Sequence, residues 1–319
     1  MTWSKLQEII DSNHSFLISS HVNPDGDSIC SQLAFYWYLD SLGKEVIIYN
    51  HDPVPRKFLF LRNTDKISNT APQRTFDVFV ILDASNASRL GWNTNRDIAP
   101  FVINIDHHKD NACEGDVNII KHEASATSEI LYTFFHARSV IFPVHVAEVL
   151  YTGILTDTGG FQFSNTNSAV LRICAQLVDN GADCSKIYRQ VYTSFSPSGL
   201  LLRAKIWSTL TFYSNNRISS MEMANSLLEE SGAGNGDIEG MSDQALTAVG
   251  VEVGMFIKYS DTCSHFSLRS NGGIDVGKIA QTIPGGGGHT CAAGCTIKLP
   301  LEKAKTKMIE LIQKELDNS

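Results

Sequence analysis

The chain reads as an α/β protein of two domains: an N-terminal domain on a parallel sheet with helices on both faces, and a smaller α/β C-terminal domain with a mixed sheet. Three observations predict this. Short apolar runs rich in β-branched and aromatic residues alternate with helix-patterned segments in the first part of the chain, as in βαβ units whose sheet is buried on both faces. Acidic and histidine residues stand just after those runs, where open parallel sheets bind ligands. From about residue 216 the texture changes to alternating strand patterns.

In order, FLISSH (16–21) is an apolar run ending in polar residues, and DSICSQLAFYWYLDSLG (27–43) carries apolar residues at helical spacing with Gly43 as a stop. EVIIYN (45–50) is β-rich. FDVFVILD (76–83) is a continuous apolar run ending in a carboxylate, and FVINIDHH (101–108) repeats that design. Helical stretches are expected near 125–138, 144–155, 168–180, 184–194 and 197–211. RISSMEMA (217–224), LTAVGVEVGMFIKY (246–259) and CSHFSLRS (263–270) read as strands, IDVGKIAQTI (274–283) as a helix and 301–316 as a charged amphipathic helix. SGAGNGD (231–237) reads as a surface loop. The expected division is 1–195, a helical linker at 196–215, and 216–319.

A length of 319 residues and 43% hydrophobic content suit domains with their own cores, and 19% charge without long charge blocks argues against wholesale disorder. The net charge of −8 argues against a long duplex-binding surface and for a small anionic ligand held by a few placed cations or bound metal ions. The N-terminal residues lack a signal-peptide pattern, and no apolar run is long enough to cross a membrane. The seven cysteines form no C-x-x-C pair and read as reduced thiols of a cytoplasmic protein with no membrane partner.

Five clusters carry the chemistry. His21-Val22-Asn23-Pro24-Asp25-Gly26-Asp27 places two carboxylates at a sharp turn before a helix, where Asp27 is either a ligand or a helix cap. Asp83 ends one strand, and Asp106-His107-His108 end another. Gly153-Ile154-Leu155-Thr156-Asp157-Thr158-Gly159 adds Asp157 where a helix breaks; alone, it would read as turn chemistry. Carboxylates gathered on one strand edge repel, and divalent cations relieve that repulsion. Carboxylate oxygen mixed with imidazole, without thiolate, suits Mn²⁺ first and Mg²⁺ second. Gly285-Gly286-Gly287-Gly288-His289 is either a flexible turn or a loop that lets a phosphate approach the backbone closely. Arg269-Ser270 ends a strand, and Arg269 is either a solvated surface charge or a bidentate phosphate ligand. Arg89, shortly after Asp83, is a further candidate phosphate contact.

HVNPDGD, Asp83 of VILD, DHH at 106–108 and GILTDTGGF at 153–161 resemble the successive motifs of DHH phosphoesterases, and LRS with GGGGH resembles the associated DHHA1 domain. The resemblance spans nearly the whole chain, and its two-domain layout is similar to the bacterial nanoRNase and pAp-phosphatase branch (pAp being 3′-phosphoadenosine 5′-phosphate). It implies a DHH catalytic metal-binding domain at 1–195 and a DHHA1 substrate-binding domain at 216–319. It also implies two divalent metal ions, one held by His21, Asp25 and Asp83, the other by Asp27, Asp83, His107 and Asp157, with Asp83 bridging. His108 would stand beside the scissile phosphate, and Asp106 would orient the cluster. Arg269, Ser270, Gly286, Gly287, Gly288 and His289 would grip substrate. Cys30 departs from the family, which commonly has glycine there, and puts local helix packing in question. The implied activity is hydrolysis of short single-stranded RNA to mononucleotides, removal of the 3′-phosphate of pAp, or both. Alternatives are a DHH pyrophosphatase or exopolyphosphatase, a cyclic-dinucleotide phosphodiesterase, and a non-catalytic nucleotide sensor. Oligomeric state is left open, with a homodimer as the candidate.

Overall fold

The computed structural model describes residues 2–92 and 97–318. The chain divides into two compact units, Met1–Ser194 and Phe195–Ser319.

In the first unit, helix α1 (Thr2–Ser12) leads into strand β1 (Ser15–Ser19), helix α2 (Gly26–Ser41) and strand β2 (Glu45–Tyr49). The short β3 (Ile67–Ser68) is followed by β4 (Val78–Leu82), β5 (Phe101–Asp106) and β6 (Val117–Ile120). Helices α3 (Thr127–Ala137), α4 (Val144–Asp157), α5 (Ser168–Asp179) and α6 (Cys184–Tyr192) complete it. The strands pair in parallel in the order β3-β2-β1-β4-β5-β6. The direction of winding therefore reverses between β1 and β4, which opens a crevice beyond their carboxyl ends. Every residue of β4 is buried, as its unbroken apolar run requires at the centre of a sheet.

Side chains alternate across the sheet. Phe16, Ile18, Val78, Val80, Leu82, Ile103 and Ile105 join the large core made with α1 to α6. Leu17, Phe79, Ile81 and Val102 meet Tyr49, Phe76 and Leu90 in a smaller core on the other face, where the helical turn Ala87–Leu90 lies. Helix α2 starts where the Asp25 carboxylate accepts the Ser28 N–H at 3.0 Å, and it stops before Gly43, whose φ of +71° is left-handed.

The second unit begins with α7 (Pro197–Trp207), capped by Ser196, whose hydroxyl accepts the Gly199 N–H. Residues 196–215, expected as a helical linker, fall within this unit, and Leu202 and Ile206 of α7 enter its core. Next come β7 (Thr211–Tyr213), β8 (Ile218–Ala224), α8 (Asn225–Ser231) and α9 (Met241–Ala245). Then β9 (Val253–Tyr259), β10 (Ser264–Ser270), α10 (Val276–Gln281), β11 (Gly287–His289), β12 (Ala292–Ile297) and α11 (Leu301–Asn318) close the chain. The sheet order is β11-β12-β10-β9-β8-β7. Only β8 and β9 pair in parallel, so the sheet is mixed.

Two sequence expectations change here. The strand expected over 246–259 begins only at Val253, because the residues before it leave α9 through a turn at Gly250 (φ +87°). The surface loop expected at 231–237 contains a helical turn, Asn235–Ile238, whose Asp237 carboxylate accepts the Ser196 N–H and hydroxyl. Among the described residues no helix is long and apolar enough to cross a membrane.

Candidate metal centre

The crevice between β1 and β4 gathers the acidic and histidine side chains of the first unit. His21 and Asp25 come from the turn after β1, and Asp27 from the first turn of α2. Asp83 follows β4 directly, Asp106 is the last residue of β5, His107 and His108 follow it, and Asp157 is the last residue of α4. Three groups place one ligand atom per residue within 4.8 Å of one another: His21, Asp25 and Asp83; Asp27, His107 and Asp157; and Asp83, Asp106, His107 and His108. Asp83 belongs to two of them, as does His107.

The separations favour a shared cation over direct bonding. His21 Nε2 stands 3.7 Å from both Asp25 Oδ2 and Asp83 Oδ2. His107 Nε2 stands 3.6 Å from Asp83 Oδ1 and 3.2 Å from Asp157 Oδ2. Most of these gaps exceed good hydrogen-bond distances. Donor atoms that each sit roughly 2.0–2.2 Å from one divalent cation fall naturally at such spacings. Carboxylates and imidazoles, without cysteine, make up all three groups among the described residues, so the donor chemistry fits Mn²⁺ or Mg²⁺.

Several of these side chains are held by further hydrogen bonds. Val22 N donates to Arg89 O at 2.7 Å, and His21 Nδ1 lies 2.8 Å from Val22 O, leaving Nε2 toward the carboxylates. Asp27 does not cap its own helix, a role that Asp25 fills. Its oxygens instead accept the Thr127 N–H at 2.5 Å and the Ser128 N–H at 2.9 Å, at the start of α3. Asp83 adopts φ +56°, a left-handed conformation costly for a residue with a Cβ, and accepts from Thr127 Oγ1 at 3.1 Å. Asp106 is fully buried and accepts from the His107 N–H at 2.8 Å, His108 Nδ1 at 2.7 Å and Asn111 Nδ2 at 2.6 Å. Nδ1 of the one-third-exposed His108 is turned to Asp106, which leaves Nε2 as its other ring nitrogen.

Glycines bring these elements together. A Cβ on Gly26 would stand 2.3 Å from Thr156 Oγ1, and one on Gly153 would stand 2.1 Å from Ser128 Oγ and 2.8 Å from Asp27 Oδ1. The near approach of α2 and α4 therefore depends on both. Cys30 is accommodated in that interface with no exposure, and burial pushes its thiol well above the ordinary range.

The electrostatics carry the strain expected of crowded carboxylates without counter-ions. Burial, reinforced by Asp83, pushes Asp27 up to about 7. Burial with Asp27 and Asp83 nearby raises Asp157 far above the usual carboxylate range. Burial opposes protonation of His21, yet Asp25 and Asp83 outweigh it and raise the ring to about 11. His107 follows the same pattern, burial being outweighed by Asp83 and Asp27. Burial disfavours the Asp106 anion, but the bonds from His108 and Asn111 prevail and lower it to about 2. The contact with Asp106 in turn raises His108.

In the second unit the candidate residues part company. Arg269 on β10 donates from Nε to Asp243 Oδ1 at 2.7 Å. Ser270 is buried, and its hydroxyl donates to Ile274 O at 2.6 Å. Gly286 and Gly288 are glycine for lack of room: a Cβ there would stand 2.2 Å from Ala280 O and 2.5 Å from Ala292 O, respectively. Gly287 has open space, and His289 is exposed at the end of β11.

Residues 15–154 match the DHH family, N-terminal domain, and residues 220–318 match the DHHA1 domain. A Bifunctional oligoribonuclease and PAP phosphatase NrnA of Thermus thermophilus is 33% identical over 94% of this chain and 89% of its own. The chain belongs to the DHH family. A protein of the same name from Bacillus subtilis is 23% identical over 89% of each chain. Among solved structures, an exopolyphosphatase-related protein from Bacteroides fragilis superposes with a TM-score of 0.91 at 26% identity, covering 98% of this DHH chain and 96% of its own.

Sequence reasoning did not single out Thr127, Ser128 or Asn111, which hold Asp27 and Asp106. Their part depends on backbone N–H groups and on partners remote in sequence, which leave no local motif.

Proposed function

We propose that this DHH phosphoesterase is a two-metal enzyme of the 3′–5′ oligoribonuclease type. It cleaves very short single-stranded RNA, down to dinucleotides such as pApA, to mononucleotides, and removes the 3′-phosphate of pAp. The observation that carries the reading is Asp83, common to a His21–Asp25 group and a second group with His107. The Thermus and Bacillus relatives, by their names, supply the substrate class.

His21, Asp25 and Asp83 would hold one ion, and Asp27, Asp83, His107 and Asp157 the other. Divalent ions bound there would neutralise the carboxylates, acidify a bound water and offset charge on phosphoryl oxygens. The protein does the rest. Asp106 favours the protonated form of His108 and orients the ring, so Nε2 would donate to a phosphoryl oxygen as negative charge grows there. Thr127 and Ser128 hold Asp27 in place with N–H groups that need not reorganise during reaction. The second unit supplies the substrate grip. The same site would finish the degradation of linear dinucleotides from any source.

The test is Mn²⁺-dependent hydrolysis of a 5′-phosphorylated RNA ladder, with pAp and inorganic pyrophosphate alongside. Mononucleotides released chiefly from the shortest RNAs, with phosphate from pAp, are expected. The description of the Bacteroides protein as exopolyphosphatase-related favours a second reading, hydrolysis of inorganic phosphate chains. Cleavage of pyrophosphate alone would establish that reading instead. Binding of pAp without any turnover would leave a nucleotide sensor.

A further inference from the structure

Phe161 and Phe163 follow Asp157 on the loop that leaves α4, and the fold treats them differently. Phe161 packs against the large core and meets Tyr151 edge-on, with ring centroids 6.2 Å apart. Phe163 is 56% exposed. One face of its ring is nevertheless covered. A Cβ on Gly159 would stand 2.5, 2.6 and 2.6 Å from Phe163 Cζ, Cε1 and Cε2, near-equal distances that place such an atom above the ring face rather than at its edge. Gly159, left-handed at φ +58°, therefore backs the ring two residues beyond Asp157. Among the described residues no other aromatic ring and no cation stacks on Phe163.

Hydrogen bonds hold this loop against the metal-centre segments. Phe163 N donates to Thr158 O at 3.0 Å, and Thr166 N donates to Phe163 O at 3.0 Å. Asn165 Nδ2 donates to Asp157 O at 3.0 Å and to Ser125 O at 3.2 Å. Ser125 lies just before Thr127, whose N–H holds Asp27. The loop is thus tied both to the end of α4 that carries Asp157 and to the segment that fixes Asp27.

Resting on the short-RNA reading above, we infer that Phe163 is a base-stacking, specificity-determining residue whose bare face receives a base of the substrate. Leaving a phenylalanine in water forgoes the burial that Phe161 obtains. A ring with one face backed and the other open is suited to stacking an unpaired base. Phosphate and base of one nucleotide are joined by a single ribose, so a phosphate held at Asp157 brings its base within reach of this loop. Phenylalanine has no hydrogen-bonding side-chain group, so it reads the π-face that every base offers and not a base edge. It therefore selects a substrate with a base over one without, and chooses little among bases.

The full-length protein with Mn²⁺ is assayed on pApA and pUpU. Phe163→Leu, apolar without a ring, should raise KM about tenfold for both dinucleotides, whereas Phe163→Tyr, which keeps the ring, should stay within about twofold of wild type. Phe163→Trp supplies a readout independent of turnover. Relative to wild type, its added indole fluorescence should be quenched by AMP and not by ribose 5-phosphate, which carries the phosphate without a base. A wild-type KM in Phe163→Leu overturns the inference, and so does equal quenching by AMP and ribose 5-phosphate. Selective quenching by AMP, in a protein whose wild type hydrolyses neither the dinucleotides nor pAp, would keep the stacking site and remove the hydrolase reading. Hydrolysis of the dinucleotides with neither effect at Phe163 would keep that reading and remove the stacking role.

Discussion

In the first unit most of the candidate ligands are buried or half-buried and hydrogen-bonded to neighbouring segments; in the second the polar side chains of a cleft beside α10 stand exposed beside glycines that let backbone approach backbone. Asp27, Asp83 and Asp106 are at most 1% exposed; Asp27 and Asp83 accept hydrogen bonds from α3, and Asp106 from the loop that follows β5. Lys278, Gln281 and His289 are exposed, while glycines at 277, 286 and 288 let backbone approach backbone. On the proposed function the difference follows from the tasks. Carboxylates that must share cations need fixed spacing and a dry surrounding, which a parallel sheet covered by helices provides. A site that must admit and release a flexible nucleotide needs access and few rigid contacts.

The comparison breaks most directly at Asp83. Asp83→Ala removes the residue common to two ligand groups and should lower turnover by at least the roughly 10²–10³-fold associated with one stabilising group. Near-normal turnover, with calorimetry still showing Mn²⁺ bound, would sink the assignment of this crevice as the metal centre.

Asp106→Asn keeps the shape but removes the charge behind His108. A fall in kcat of about 10–100-fold is expected, the usual effect of losing an orienting partner. The His108 pKa, followed by NMR in the metal-free protein, should drop as well; an unchanged titration would show that Asp106 does not set the protonation of His108.

Two glycine substitutions sharpen the contrast. Gly153→Ala drives a methyl into Ser128 and Asp27 and should cost about 1–3 kcal/mol in denaturant unfolding, together with Mn²⁺ affinity. Gly287→Ala meets nothing within 4 Å and should leave stability nearly unchanged. Equal costs at the two positions would contradict the packing account.

Metal removal should expose a pH dependence confined to the first unit. The folded-state value of Asp27 is raised from 3.8 to about 7, so its contribution to stability is complete below 3.8 and lost as pH rises through 7. Melting temperatures with EDTA should therefore fall across that window, and Mn²⁺ should restore more at alkaline than at acid pH. A constant Mn²⁺ effect throughout would speak against ions binding among these carboxylates. The smallest effect belongs to Arg269→Ala. Its partly exposed pair with Asp243 is worth about 0–1 kcal/mol, so thermal stability should barely move, and any change should appear in KM.

The sequence alone established the layout of the first unit. Apolar runs ending in Asp83 and Asp106 read as buried strands because their β-branched residues leave no polar face, and polar residues after them had to lie at the carboxyl edge. It also supplied the ordered motifs, which are chemically unusual enough to be legible without a fold. It was weaker in the second unit. The short helices α8 and α9 went unread, since five to seven residues carry too little periodicity to stand out from a loop.

Only the tertiary structure decided how these residues work. It assigned Asp27 to the start of α3 rather than its own helix, a bond between residues about 100 apart in sequence. It paired Arg269 with Asp243, directed the Ser270 hydroxyl inward and opened the cleft beside Lys278. Those outcomes depend on which surfaces meet and at what distance. Residue type and local spacing announce the chemistry available, whereas partner and exposure are set only when remote segments pack.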